Sequence, residues 1–160
     1  MYLDRCVEPK QVKLLAPEVL HDPIDPTDIG RVAGAILVNP RQYASGYQAT
    51  MTSGKDVIYL TGPALLSQTE QWEIINRELA AAGKSPVKVN HITVEQYLKS
   101  LAALHLPDAM ANSLAKSVVD TGALYAEDLG KQRANVGLLT GRKATSFEDF
   151  VKREISTYFQ

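Results

Sequence analysis

Val57-Ile58-Tyr59-Leu60-Thr61-Gly62-Pro63 is the stretch on which the reading of this chain turns. Four strand-favouring residues run into a Gly-Pro turn, and Ser67 with Glu70 three residues later then forms the capping box of a helix. A short buried strand passing through a turn into a capped helix is the pattern of an α/β sheet. Upstream of it, a phosphate-binding start to such a sheet would need closely spaced glycines between a strand and a helix, because backbone must approach the phosphates there. The close pair that exists, Gly30 and Gly34, falls four apart inside a helical pattern. The expectation is a late part of a sheet whose nucleotide-binding half lies outside this chain.

Outward from that strand the pattern is regular. Val12–Leu15 reads as strand, followed by extended loop where Pro17, Pro23 and Pro26 interrupt any helix. Asp25-Pro26-Thr27-Asp28 starts a helix, with a capping oxygen, proline in the first turn and acid at the positive end of the dipole. Its apolar face is expected to be Ile29, Val32, Ala33, Ile36 and Leu37, and Asn39-Pro40 ends it. Residues 41–56, with Tyr43 and Tyr47, read as a frayed helix or a loop. From Ser67, Trp72, Ile75, Leu79 and Ala82 line one face up to the stop at Gly83.

Further on, Val87, Val89 and His91 alternate with Lys88, Asn90 and Ile92, the mark of a strand with one more exposed face or an edge position. Thr93 caps a helix with Val94, Tyr97, Leu98, Leu101 and Ala102 aligned. Asp108 caps the next, carrying Met110, Leu114 and Val118, and a separate short helical piece is expected around Ala123–Leu129. Ser146 caps a last helix with Phe147, Phe150, Val151, Ile155 and Tyr158 on one stripe. Strands separated by helices point to parallel pairing. About three strands are too few for a doubly wound sheet, and the helices carry more apolar faces than that sheet could cover.

Composition bounds the function classes. The 160 residues are 45 % hydrophobic and 22 % charged with a net charge of −1, ordinary for a globular domain, and the basic residues are dispersed. Nucleic acid and an anionic membrane surface are therefore not expected partners. The one cysteine, Cys6, excludes an intramolecular disulfide. With no signal-peptide layout and no apolar run approaching the roughly 20 residues of a membrane helix, a cytoplasmic protein is expected. No internal repeat or linker divides residues 1–160, which are read as a single incomplete domain.

The sequence carries few of the constellations that perform chemistry. No catalytic and no cofactor-binding residue is assigned, and His21, His91 and His105 lack a Cys or carboxylate at metal-ligand spacing, so no metal site is assigned either. None of the seven tyrosines has a lysine four residues on, which would place both on one helical face with the ammonium lowering the phenol pKa. His105 reads as a half-buried histidine serving late helix carbonyls, and His91 as structural. His21 with Asp22 follows the first strand, where α/β folds place ligands. These two, with Tyr125, are the candidate substrate-pocket residues; solvent-facing or packing roles are the plainer alternative.

Three segments together resemble the C-terminal half of the NmrA-like group of atypical short-chain dehydrogenase/reductases. They are Asp25-Pro26-Thr27-Asp28-Ile29-Gly30-Arg31-Val32-Ala33, then Ile58-Tyr59-Leu60-Thr61-Gly62-Pro63 with Leu66-Ser67, and Leu139-Thr140-Gly141-Arg142 leading into Ser146-Phe147-Glu148-Asp149-Phe150-Val151. The chain is similar in particular to the fungal oxidoreductase branch that includes the festuclavine dehydrogenases of secondary metabolism. The resemblance implies the C-terminal part of a Rossmann-like NAD(P)-binding fold plus a small helical substrate lobe. It implies NADP or NAD as cofactor of the complete fold, with none bound by this chain alone, and a small-molecule substrate. Members are reductases or regulators that bind dinucleotide without turnover. An incomplete sheet would be relieved by homo-oligomerisation or by pairing with a full-length relative through an exposed sheet edge.

Overall fold

The computed structural model describes residues 11–39, 59–129 and 134–158. The chain divides into two compact units, Met1–His21 with Leu66–Leu124 and Val151–Gln160, and Asp22–Leu65 with Tyr125–Phe150.

In the first unit, β1 (Gln11–Leu15) pairs in parallel with β4 (Lys88–Ile92), with Gln11 opposite Lys88 and Leu15 opposite Ile92. The pairing is parallel as the strand-helix alternation requires. Two-residue strands β2 (Leu20–His21) and β3 (Leu66–Ser67) form a short antiparallel bridge. Helix α2 (Gln68–Ala81) opens on the expected capping box, in which the Ser67 hydroxyl accepts from the Glu70 amide and the Glu70 carboxylate accepts from the Ser67 amide. Trp72, Ile75 and Leu79 are buried at i, i+3 and i+7. Burying each such side chain stabilises by about 1.5–3 kcal/mol. Ala82, expected on that face, is instead the exposed C-cap.

The Asn76 side chain then takes both backbone groups of Val87: its amide donates to the Val87 carbonyl at 3.0 Å and its oxygen accepts from the Val87 N–H at 2.8 Å. One side chain thus pairs Val87 as a neighbouring strand would, just before β4 begins.

Helices α2 and α3 (Val94–Ala102) stop in the same way. The Gly83 N–H donates to Ala80 and the Lys84 N–H to Leu79 after α2; the His105 N–H donates to Ala102 and the Leu106 N–H to Leu101 after α3. Both are Schellman ends with a left-handed residue, Gly83 at φ +70 and His105 at φ +59. His105 is exposed rather than half-buried on the helix face, because the stop swings it out of the helix.

The Asp108 helix and the expected piece at Ala123–Leu129 are one continuous helix, α4 (Asp108–Leu129). Its buried positions are Ala111 and Ala115, while Met110 and Leu114 are exposed. The inward stripe is one residue on from the expected one, since small residues face the interior where space is short.

In the second unit, α1 (Pro26–Val38) and α5 (Asn135–Thr140) contribute a core of Val32, Val136 and Leu139, against which Ile24, Ile36, Leu60 and Ala144 pack; α6 (Phe147–Tyr158) follows. The α1 face is also rotated from expectation: Asp28 and Val32 are buried, Ile36 is half-buried, and Ile29 and Leu37 are exposed. Along α6, Phe147, Val151 and Ile155 are buried at i, i+4 and i+8, matching the expected stripe. Of the strand expected at Val57–Leu60, Val57 and Ile58 lie outside the described residues, as do Cys6, Tyr43 and Tyr47; Tyr59 and Leu60 carry no ladder pairing among the described residues. Among the described residues no helix is long and apolar enough to cross a membrane.

Candidate functional site

The loop leaving the carboxyl end of β1 is the first candidate, because open α/β sheets receive ligands at that end of their strands. Leu14 and Leu15 anchor it by burial, and Ala16 then takes φ +51, a conformation costly for a residue with a Cβ. The Val19 N–H donates to the Ala16 carbonyl at 3.0 Å, closing a turn that delivers the chain into β2.

The first turn of α2 pins this loop. The Thr69 N–H donates to the Pro17 carbonyl at 3.2 Å, and the Thr69 hydroxyl lies 3.1 Å from Glu18 Oε1. Gln68 Nε2 donates to the Leu15 carbonyl at 3.3 Å and lies 3.5 Å from His21 Nε2. Glu70, turned back on its own cap, is held below the usual carboxyl pKa of 4.5, first by the Ser67 N–H and then by the Ser67 hydroxyl, against a small opposing effect of desolvation.

The second unit holds a buried polar cluster around the start of α1. The Asp25 carboxylate accepts from the Thr27 N–H at 2.8 Å. Asp28, only 1 % exposed, accepts from Arg31 through Oδ1 at 2.7 Å and from the Thr145 N–H through Oδ2 at 2.6 Å. The segment entering α1 also touches the Thr61-Gly62 turn: a Cβ at Gly62 would sit 1.9 Å from the Pro23 carbonyl oxygen. Glycine is required at this position by that close approach. Asn135, wholly buried, donates from Nδ2 to the Tyr59 carbonyl at 2.8 Å, which fixes its amide orientation.

Of the three candidate pocket residues, His21 and Asp22 are consecutive and partly buried, His21 in β2 and Asp22 just after it. Tyr125 lies in α4, with its side chain outside the described part. Gln68, Asn135 and Thr145 were missed by sequence reading. Each acts through a partner distant in sequence, and no local pattern marks them. Among the described residues no group of three His, Cys, Asp or Glu could hold a metal ion.

Three of the described glycines, Gly30, Gly34 and Gly62, do not form a dinucleotide-binding turn. Gly62 is filled from the front by the chain's own Pro23 carbonyl, and Gly30 and Gly34 lie within a helix rather than at a strand-to-helix turn. Neither arrangement offers the close backbone approach that a dinucleotide's phosphates require.

The architecture is an α/β fold with a small parallel sheet, and it superimposes on NADPH-dependent quinone oxidoreductase from Escherichia coli. The TM-score is 0.60 against the complex with NADPH, at 18 % identity, covering 96 % of this chain and 48 % of that one. Against a second structure of that oxidoreductase it is 0.56, again at 18 % identity, covering 96 % and 49 %. The shared fold is thus an α/β, Rossmann-like one.

In sequence the chain is a homologue of a nitrogen metabolite regulation-like protein of Gibberella fujikuroi, 74 % identical over 160 residues that make up 99 % of this chain and 48 % of the relative. It is also 29 % identical over 136 residues to an NAD(P)H azoreductase of Xenophilus azovorans, covering 84 % of this chain and 41 % of that protein. No protein-family model matches. The chain spans about half the length of the curated relatives it matches. These relatives support the NmrA-like resemblance and lend nothing to its festuclavine dehydrogenase branch.

Proposed function

We propose that this chain is the substrate-side part of an NmrA-like, NAD(P)-dependent oxidoreductase fold and has no turnover by itself. The observation that carries the reading is one of length: 99 % of the chain aligns at 74 % identity with 48 % of its Gibberella relative. In this reading residues 1–160 are one incomplete domain, NADP or NAD is the cofactor of the completed fold, and a small molecule is its substrate. His21, Asp22 and Tyr125 are the pocket residues offered by this part. The completed protein works in the cytoplasm, within fungal secondary metabolism.

A second reading, a non-catalytic regulatory or interaction module, is favoured by the regulation-like relative. Here the chain would self-associate or pair with a full-length relative through a sheet edge.

A thermal melt with NADPH and NADH tests the first reading. A ligand at one hundred times its Kd stabilises the native state by about 2.7 kcal/mol. The chain alone should show no shift. Co-expressed with the portion of the Gibberella relative outside the matched residues, it should show a saturable one. A saturable shift with the chain alone would overturn the reading.

A further inference from the structure

Helix α1 carries features that the described residues of its own unit do not use. It buries Asp28 and Val32, yet Leu37 and Val38 are 78 % and 77 % exposed and Ile29 is 44 % exposed. Ile29, Ala33 and Leu37 recur at i, i+4 and i+8, so they form one outward stripe. Gly30 and Gly34 run beside it, one residue on at each turn.

Glycine in a helix interior is destabilising relative to alanine unless the backbone or a neighbour demands it. Neither does here: among the described residues a Cβ added at Gly30 or Gly34 would meet nothing within 4 Å. The face is also uncharged. Asp28 and Arg31 are the charged residues of α1, and they pair with each other at 2.7 Å. Large apolar side chains flanking an open, uncharged groove form a surface suited to a closely approaching apolar element.

Resting on the reading above, we propose that this face of α1 is where the remaining part of the full-length fold docks, seating uncharged side chains over Gly30 and Gly34. Two observations select that occupant. About half the length of the Gibberella relative and of the E. coli oxidoreductase lies outside the matched portion, which in those proteins is a body large enough to cover such a face. The lack of free charge on α1 disfavours a strongly charged partner.

The test co-expresses the full 160-residue chain with the portion of the Gibberella relative outside the match, and measures complex formation by size-exclusion chromatography and dissociation by interferometry. Leu37→Lys and the double variant Gly30→Leu/Gly34→Leu should each weaken the complex at least tenfold. Circular dichroism melts of the isolated variants should be no lower than the wild type, and Gly30→Ala/Gly34→Ala should melt higher. A wild-type complex that both variants form equally well overturns the docking face and leaves the half-fold reading standing. Failure of the wild-type chain to form any complex overturns both. Self-association of the isolated chain that Leu37→Lys abolishes would assign the face to a second copy and overturn the proposal.

Discussion

Asp28 and Glu70 occupy equivalent places in two helices, each the third residue after its N-cap, where a carboxylate meets the positive end of the dipole. Glu70 stays local: it returns to Ser67, three residues back, and remains exposed. Asp28 is buried, and it reaches across 117 residues of sequence to the Thr145 N–H just before α6. The Glu70 arrangement stabilises a helix. The Asp28 arrangement ties a helix to a distant segment, so it serves tertiary structure, and the two should respond differently to perturbation.

The largest effect is expected on the Asp28 side, at the turn beside the entry to α1. Gly62→Ala would drive a methyl into the Pro23 carbonyl at 1.9 Å, a backbone overlap with no flexible side chain to yield. Loss of the cooperative melt by circular dichroism is expected; a variant melting like the wild type would show that the two segments do not approach so closely.

Next comes Asp28→Ala, which leaves the Thr145 N–H and Arg31 without their carboxylate. Removing a buried, charge-assisted acceptor costs about 3 kcal/mol, readable as a lower urea midpoint with an unchanged slope. A cost below about 0.5 kcal/mol, the range of ordinary surface changes, would place Asp28 in the same class as Glu70.

The smallest effect belongs to Glu70 and is a matter of pH. Its folded pKa lies below the unfolded value of 4.5, so its contribution is fully present above about pH 4.5 and is lost as pH falls through the lower folded value. Glu70→Gln keeps a capping-box partner but cannot titrate. The difference in melting temperature between wild type and variant should therefore be constant near neutrality and change only in acid. A difference that varied between pH 6 and 8 would assign the titration to another group.

The same contrast explains what was legible in the sequence. The Ser67 and Ser146 caps, the Thr93 start and the Gly83 stop were readable because each is a bond between residues three to five apart. The faces of α1 and α4 were misread. Helical periodicity identifies an apolar stripe without saying which flank turns inward, and that was decided by Asp28 reaching Thr145 and by alanines 111 and 115 fitting the interior. His105 was misplaced because a left-handed histidine is a rare substitute for glycine at a helix stop. At the candidate site, His21 and Asp22 were found from their place after a strand. Gln68, which joins His21 to the end of β1, carries no signal of its own.

The Asn76–Val87 clamp has a consequence for how the first unit opens. An amide proton in a sheet is protected until neighbouring strands separate, whereas the Val87 proton is held by a single carboxamide on α2. Its hydrogen exchange therefore requires the Asn76 carboxamide to release it, on top of the opening that lets water reach buried Val87. Val87 becomes a gauge of how long α2 keeps its grip on the segment that leads into β4.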